Sequence, residues 1–325
     1  MKRILAYIVV SGTALLFGHF WIPLNLSVYA VDVRYIAFSS NRSGNYDIYM
    51  IDINGENLQN ITNHPANDSA PTFSPDGQRM AYVSSRGGDW DIYVMNLRTK
   101  VSEQLTDHPG QDEGPAWSPD GRWIAFNSDR AGIDNIYKIA PSGANLQQLT
   151  HGDQKNITPS WSPDSQFIAL RSSGVRLGSP SSISIIDADG GNLSRLKNQP
   201  SEHVYMPAWS PDGKRIAFSA NLGGNVDIYT VNVDGSDLRR ITRHTALDSS
   251  PAWHPDGHAF IFSSMWDQKF AIYRIDVAGT NRRRLTPHRT QDLHPTWVPT
   301  GFFSVFPLIN SQSVLWGRLK QSVSD

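Results

Sequence analysis

The chain has 325 residues, no cysteine, and 29 basic residues against 30 acidic ones, which gives a formal net charge of −1. The absence of cysteine excludes disulfides, thiol catalysis and cysteine-bound metals. The balanced charge provides no global field that would draw the protein to nucleic acid or anionic lipid, so we expect no nucleic-acid partner. With 39% hydrophobic and 18% charged residues, the composition is that of an ordinary globular protein.

The first thirty residues have the order of a secretory signal. Lys2 and Arg3 precede an apolar stretch over residues 4–26, and Val28-Tyr29-Ala30 follows it. This order predicts export to the periplasm or the medium, with cleavage after Ala30. An uncleaved anchor is the alternative, because the apolar stretch is long for a signal peptide. Such an anchor would be the only attachment to a membrane that the sequence predicts.

One phrase then occurs six times: Pro-x-(Trp/Phe)-Ser-Pro-Asp-Gly or a close variant, a short apolar run, Asp-Ile-Tyr and Leu-Thr. It begins at the prolines of the following positions: Pro71, Pro115, Pro159, Pro207, Pro251 and Pro295. The steps are therefore 44, 44, 48, 44 and 44 residues. A period in the low forties made of short strands and tight turns is typical of a β-propeller blade.

Each repeat predicts four strands. The first is Pro-x-Trp, the second resembles Ile124-Ala125-Phe126, the third contains Ile-Tyr, and the fourth is placed at Leu-Thr. Ser-Pro-Asp-Gly between the first two strands predicts a type I turn with a left-handed final residue. The copy beginning at Pro159 departs from this pattern, because Ser165 replaces the glycine and four extra residues fall in 172–182. We expect backbone strain at Ser165.

The two ends of the repeat region predict how the ring closes. The chain enters on a second-type strand at Ile36 and ends its repeats on a first-type strand at Pro295. We therefore predict an all-β, six-bladed propeller of four-stranded blades, in which the N-terminal region supplies three strands of one blade and the C-terminal region one. The predicted organisation is a leader over 1–30, a propeller over 31–301 and a tail over 302–325.

The Ser-Pro-Asp-Gly turn and the Ile-Tyr and Leu-Thr strands resemble the WD-like propeller repeat of the TolB family. This resemblance implies a periplasmic binding propeller with an envelope protein or peptide as partner. TolB also carries an α/β domain before its propeller, whereas we expect the propeller alone here. Similar repeats occur in propellers of prolyl-oligopeptidase-like peptidases and oligogalacturonate lyases. The sequence has no Gly-x-Ser-x-Gly elbow of the kind that the peptidases need.

An acidic column lies three residues before each repeat proline. Its predicted site residues are Asp68, Asp112, Asn156, Asp248 and Asp292, and Val204 fills the sixth position. If these side chains gather at the channel mouth, they would form a site for a cation such as calcium or a socket for a basic partner segment. The alternative is that each one shapes its own loop by accepting backbone hydrogen bonds.

A second column contains His64, His108, His151, His244 and His288, after the Leu-Thr segments. Each histidine belongs to a different blade, so we interpret them as packing residues, because imidazoles on a wide ring would not converge to the ~2 Å distance of zinc ligands. The aspartate before Ile-Tyr, as in Asp47 and Asp91, is expected to bond the preceding glycine-containing loop. The aromatic column that includes Trp117 and Trp253 is expected to form the core between blades.

We find no nucleophile–base pair or phosphate loop in the sequence. The sequence thus predicts a monomeric, exported binding module without a catalytic centre or a resident cofactor, acting through its channel face. Two alternatives remain: a metal-dependent propeller enzyme of the polysaccharide lyase or lactonase type, and a passive scaffold.

Overall fold

The computed structural model describes residues 34–304 except 198–202, 267 and 288–289. The predicted leader, His288 and tail residues 305–325 lie outside the described residues. No helix in the described part is long and apolar enough to span a membrane.

The described residues form six four-stranded antiparallel sheets, each a propeller blade. Blade 1 contains β1 (Tyr35–Ser40), β2 (Asp47–Asp52) and β3 (Gln59–Asn60) together with the last strand, β24 (Asp292–Trp297). Blade 2 contains β4 (Asp68–Phe73), β5 (Arg79–Ser84), β6 (Asp91–Asn96) and β7 (Ser102–Gln104). Blade 3 contains β8 (Asp112–Trp117), β9 (Ile124–Ser128), β10 (Asn135–Ile139) and β11 (Gln147–Gln148).

Blade 4 contains β12 (Gln154–Trp161), β13 (Phe167–Gly174), β14 (Ser181–Asp187) and β15 (Ser194–Arg195). Blade 5 contains β16 (Val204–Trp209), β17 (Arg215–Asn221), β18 (Val226–Asn232) and β19 (Arg239–Arg240). Blade 6 contains β20 (Asp248–Trp253), β21 (Ala259–Ser264), β22 (Ala271–Asp276) and β23 (Arg283–Arg284). A short 3-10 helix, Thr300–Ser304, follows β24.

The ring closes as the strand count predicts. β24 pairs antiparallel with β1, so blade 1 takes three strands from the start of the described chain and one from its end. The predicted six-bladed fold is confirmed. The extra residues of blade 4 lengthen its hairpins, since β12 and β13 each have 8 residues.

The fourth strand of each blade begins two or three residues earlier than the Leu-Thr position that the sequence predicts. In blade 1 it is Gln59–Asn60, just before Ile61-Thr62. After this strand the threonine side chain joins the pairing in five blades: Thr62 Oγ1 accepts a hydrogen bond from the Ile48 amide at 3.0 Å and donates to Asp47 Oδ1 at 3.2 Å. A side chain thereby continues the pairing that a backbone ladder would otherwise make. Thr106, Thr150, Thr242 and Thr286 likewise accept the corresponding isoleucine amide. Blade 4 has Lys197 at this position, and its fourth strand also ends two residues earlier, at Arg195.

This arrangement also corrects the expected role of the aspartate before Ile-Tyr. Asp47 accepts one hydrogen bond from Ser43 in the preceding loop, but its other contacts come from the segment around Thr62. Asp91 accepts from Thr106 at 3.3 Å and from Gln104 at 3.0 Å. The column therefore attaches the end of the fourth strand to the third.

The hydrophobic core lies between neighbouring blades. Trp117 of blade 3 packs with Ala81 and Val83 of blade 2, and five further clusters occupy the other interfaces. Trp161 and Trp253 also donate an indole N–H to a carbonyl oxygen of the preceding blade, each at 3.0 Å. The sequence-based interpretation of the aromatic column as interblade core is confirmed.

Two local features concern strain and the chain end. Ser165 has φ of 59° where the other turns have glycine, and its Oγ accepts the Asp120 amide at 3.1 Å, which ties blade 4 to blade 3. Phe302, at the start of the predicted tail, is 6% exposed and packs with Phe73 and Val298 at the interface of blades 1 and 2. The ring closure therefore extends past β24.

We predict that ending the chain after Gln291 abolishes cooperative unfolding, because β1 loses its partner strand and the interface of blades 1 and 6 loses Trp297. A chain ending at Ser304 retains β24 and Phe302 and serves as the matched control. Urea denaturation followed by circular dichroism distinguishes the two chains. A cooperative transition in the shorter chain would show that closure is dispensable.

Candidate binding channel

The six innermost strands surround a central channel. A cavity of about 320 Å³ is lined by all six repeat prolines, together with residues beside them such as Thr158, Met206 and His294. We call the end where the innermost strands begin the loop face, and the end with the Ser-Pro-Asp-Gly turns the turn face. The predicted acidic column belongs to the loop face.

The structure buries every member of that column. Asp68, Asp112, Asn156, Asp248 and Asp292 are each 0% exposed. Four of them begin an innermost strand and Asn156 is the third residue of one. The backbone amides of Asp68 and Asp112 donate to the carbonyl oxygens of Tyr46 and Trp90. The column is therefore anchored inside the blades, behind the surface of the mouth.

Three of the four aspartates form ion pairs with an arginine of the same blade. Arg86 Nη2 lies 2.9 Å from Asp68 Oδ2, and Arg130 Nη2 lies 2.7 Å from Asp112 Oδ2. Arg42 pairs with Asp292 at 2.9 Å across the closing strands. Opposite charges compensate one another there, as burial of a charge requires.

A serine and two aromatic rings hold each of these arginines in place. Arg86 Nε donates to Ser84 Oγ at 2.9 Å, and its guanidinium lies 4.9 Å from the centre of the Tyr93 ring. Arg130 repeats both contacts with Ser128 and Tyr137. In blade 4 the amide Asn156 accepts from Ser172 at 2.7 Å, so no charge needs compensation. The side-chain oxygens of Asp68, Asp112 and Asn156 thus accept hydrogen bonds from other side chains, whereas the loop-shaping interpretation expected backbone amides of the same loop. A role in partner binding stays a prediction.

Asp248 in blade 6 is the exception. Trp266 occupies the position where blades 1–3 have arginine, and the nearest counter-group is His244, whose Nε2 lies 3.1 Å from Asp248 Oδ2. Burial raises the pKa of Asp248 to about 6 and lowers the pKa of His244 to about 4. The His244 ring contacts the Trp266 ring edge-on, with 4.2 Å between the ring centres. The Arg282 guanidinium lies over the Trp266 ring, 3.7 Å from its centre. Near neutral pH this carboxylate has no permanent cation in contact.

The channel is lined by a column that sequence reasoning missed. Each residue before a repeat proline has a left-handed backbone conformation, with φ between 50° and 59°: Ala70, Gly114, Thr158, Met206, Ser250 and His294. The pairing register shifts at this point in every innermost strand. Five of the six are not glycine, so each costs about 1–2 kcal/mol of backbone energy. The sequence did contain a signal for this column: the proline is the same in all six repeats, whereas the residue before it differs in each, as expected for a position that faces a channel and not a shared core.

A second cavity of about 270 Å³ lies at the loop face, where the channel opens. Trp90, Ile157 and Met206 give it apolar walls, and Glu113 and Asn127 contribute polar groups. Burial raises the pKa of the Glu113 carboxyl, with further contributions from Asp134 and Asp129. We call this cavity the mouth pocket.

Two polar atoms beside the mouth pocket are buried without a hydrogen-bond partner among the described residues. They are Thr158 Oγ1 and His294 Nδ1. Burial lowers the pKa of His294, so its imidazole is neutral and can accept or donate one hydrogen bond. Buried polar atoms are normally satisfied. These two atoms therefore give the pocket unused hydrogen-bonding capacity.

The described members of the histidine column, His64, His108, His151 and His244, do not line the channel cavity or the mouth pocket. His64, His108 and His244 each accept a hydrogen bond at Nδ1 from the amide two residues later, at 2.9–3.1 Å. Each ring thus closes its own loop. Among the described residues, no group of three or more His, Asp or Glu side chains is arranged to hold a metal ion.

The sequence profile of the TolB beta propeller domain (PD40) matches residues 28–203 and 177–315. The chain belongs to this family.

Relatives and solved structures agree with this assignment. The Tol-Pal system protein TolB of Syntrophus aciditrophicus is 39% identical over 71 residues, which are 21% of this chain and 16% of that protein. The crystal structure of TolB from Acinetobacter baumannii superposes with a TM-score of 0.72 and 23% identity, covering 82% of this chain and 67% of that one. The sequence match thus spans about a sixth of the relative's length, and the structural match shows the fold.

A propeller enzyme is also similar in fold. An oligogalacturonate lyase in complex with manganese superposes with a TM-score of 0.54 and 18% identity, covering 77% of this chain and 72% of that one. At this level of identity the likeness concerns the fold alone.

We predict opposite effects of removing charge from Asp248 and from Asp112. At pH 8, Asp248→Asn should raise the free energy of unfolding by about 1–3 kcal/mol, because it removes a buried charge without a permanent counter-ion. Asp112→Asn is the matched control and should lower the free energy of unfolding by about 3 kcal/mol, because it leaves the Arg130 guanidinium without its carboxylate partner. Urea denaturation of the two variants provides the comparison.

The gain from Asp248→Asn should shrink between pH 8 and pH 5. The raised pKa of about 6 means that the folded state binds this proton more tightly than the unfolded state does. Wild-type stability is therefore penalised above pH 6, and the penalty decreases as pH falls through 6. Equal destabilisation by both substitutions at pH 8 would contradict the contrast between the two sites.

Proposed function

We propose that this TolB-family propeller is an exported, non-catalytic binding module that captures a protein or peptide partner at the mouth pocket. The observation that carries the proposal is the composition of that pocket. Apolar walls of Trp90, Ile157 and Met206 adjoin the carboxyl of Glu113 and the unused polar atoms of Thr158 and His294. Concave sites of this kind, mainly apolar with a few fixed polar groups, are typical of ligand binding.

The rigidity of the surroundings supports reversible recognition on a preformed surface. The Asp–Arg pairs hold the ends of the innermost strands, and the residues that line the channel have a backbone conformation fixed by the register shift in each blade. A partner therefore does not need to order this surface when it binds, which lowers the entropic cost of association. The similarity to a Tol-Pal system protein makes a protein partner the first class to test.

Export is a separate part of the proposal and rests on residues 1–30. Lys2, Arg3, the apolar stretch over 4–26 and the Ala30 boundary have the order of a cleavable signal. N-terminal sequencing of the protein recovered from a periplasmic fraction should yield a chain beginning at Val31. Recovery only in the membrane fraction with Met1 intact would instead support the anchor.

The binding role is tested by capture from envelope extract with wild-type protein and the double variant Glu113→Gln/Met206→Ala. Alanine occupies the equivalent channel position at Ala70, so the substitution at Met206 suits the local backbone. We expect the double variant to bind the partner about tenfold more weakly, which corresponds to a loss of about 1.4 kcal/mol of binding free energy. Lys214→Ala on the turn face is the control and should capture as well as wild type. Equal capture by all three proteins would refute the mouth pocket as the site.

The metal-dependent lyase remains the competing function, and the similarity in fold to a manganese-bound oligogalacturonate lyase is the observation in its favour. Metal analysis of the purified protein and assay on oligogalacturonate test it directly. Stoichiometric metal with activity that falls on chelation would favour the enzyme over the binding module.

A further inference from the structure

The turn face has a second feature that does not depend on the mouth pocket. The aromatic residue that ends each innermost strand has an equivalent neighbour in the preceding blade, the residue directly before the buried apolar run of the second strand. The residues in that second position are Tyr35, Arg79, Trp123, Phe167, Arg215 and Ala259. We call them the cover column. Arg79 lies 5.0 Å from the centre of the Trp117 ring, and Phe167 stacks on Trp209 at 6.4 Å.

Arg215 is turned away from the aromatic ring it would cover. Its Nη1 donates to Asp237 Oδ2 at 2.7 Å, and its Nη2 donates to Thr230 Oγ1 at 3.0 Å. A cleft of about 430 Å³ opens between blades 5 and 6, with Arg215 and Trp253 in its walls. Trp253 is only partly buried, whereas Trp117, under its arginine, is 6% exposed.

The next interface shows a different solution. Ala259 is too small to cover Trp297, but the ring of His254 contacts that indole edge-on at 4.5 Å. His254 stands where the other repeats have the turn serine. The His254 imidazole therefore covers Trp297. At the corresponding turn position before Trp253 there is Ser210, which has no ring, and the ring contact of Trp253 is with Phe260 of its own blade, at 4.2 Å between centroids.

The turn glycines give an independent measure of the opening. A Cβ atom placed on Gly121 would lie 3.7 Å from Pro75 of the preceding turn, and one on Gly213 would lie 3.3 Å from Pro163. A Cβ atom on Gly257 would meet no atom within 4 Å. The turn of blade 6 thus stands apart from the turn of blade 5, on the side where the cleft lies.

The polar groups of the cleft include both signs of charge. Two carboxylates, Asp212 and Asp256, and two guanidinium groups, Arg215 and Arg239, line it, with His258 at the edge. Asp237 fixes both arginines, since Arg239 Nε donates to its Oδ1 at 2.8 Å. Both guanidinium groups are thus already paired with a carboxylate, so no basic excess favours a phosphate, and hydrogen-bond donors and acceptors surround one aromatic side chain.

We propose that this cleft binds a neutral saccharide, with a pyranose ring on the indole of Trp253 and its hydroxyl groups bonded to Arg239 and the two carboxylates. A pyranose has an apolar face of C–H groups and a rim of hydroxyls, which matches an aromatic surface within a ring of charged donors and acceptors. The cleft volume of about 430 Å³ falls within the roughly 300–1,000 Å³ of small-molecule sites.

Isothermal titration calorimetry of the purified protein with chitotriose, cellotriose and maltotriose tests the proposal, and trigalacturonate serves as the charged counterpart. We expect at least one neutral trisaccharide to bind. Trp253→Phe should weaken that binding about tenfold, because a smaller aromatic surface remains for stacking. Trp117→Phe, at an interface where arginine covers the ring, should bind as wild type does.

Arg239→Ala provides a second variant whose folding is not at risk, because this side chain is 65% exposed. It should weaken binding by a factor of about three or more. Arg283→Ala, at the equivalent place in blade 6, should leave binding unchanged. Failure of all three neutral trisaccharides to bind, tighter binding of trigalacturonate, or equal binding by wild type, Trp253→Phe and Arg239→Ala would each overturn the proposal.

Discussion

Ring closure is the constraint on which the rest of this structure depends. Each blade is apolar on both faces, and its core residues pack against those of the neighbouring blades, as Trp117 of blade 3 packs with Ala81 of blade 2. A blade with one open side would expose such a surface to water at about 25 cal/mol per Å² of apolar area. The pairing of β24 with β1 removes both open sides at once. The stability of every interface is therefore linked to two strands that are more than 250 residues apart.

Closure also explains why the innermost strands can contain charged groups. Their N-terminal ends converge around the axis, so an aspartate there is removed from water and requires a partner inside its own blade. Arg86 and Arg130 supply that partner from the loop that follows the second strand, and serine and aromatic contacts orient them. Blade 4 uses an amide and blade 5 uses Val204, which avoids the charge altogether. Only in blade 6 does a buried aspartate depend on a histidine.

The sequence predicts the architecture well because a repeat period and strand-length apolar runs report on local structure and on burial. Strand number, closure and the aromatic core follow from such patterns. The fourth strand is misplaced because its own residues, such as Gln59 and Asn60, are polar and at least partly exposed, and a pattern of apolar residues does not mark them. The strain at Ser165 could be expected, since the turn requires a left-handed residue whatever side chain occupies it.

The candidate site is less accessible to sequence reasoning. Recurrence of Asp68 and its equivalents indicates a common position, but the depth of that position depends on tertiary contacts. The Ser-x-Arg triplets ending at Arg42, Arg86 and Arg130 were a usable signal, because each accompanies an aspartate of the same blade. The mouth pocket depends on side chains from several blades, such as Trp90, Ile157 and Met206, whose proximity no spacing rule predicts.

Besides the longer hairpins and Ser165 of blade 4, the repeat departs from its pattern at the interface of blades 5 and 6. On the loop face, Trp266 replaces the arginine that would neutralise Asp248, so His244 lies beside that carboxylate. On the turn face of the same interface, Arg215 bonds Asp237 instead of lying over Trp253, and that indole borders the cleft. In a ring of equivalent units, stability alone favours a counter-ion for each buried aspartate and a contact for each aromatic ring, and blades 1–3 provide the counter-ion as Arg42, Arg86 and Arg130. An interface that departs from this arrangement at both ends gives up packing and charge compensation that its neighbours retain, as sites selected for binding commonly do. The interface of blades 5 and 6 therefore has features that the stability of the fold does not require.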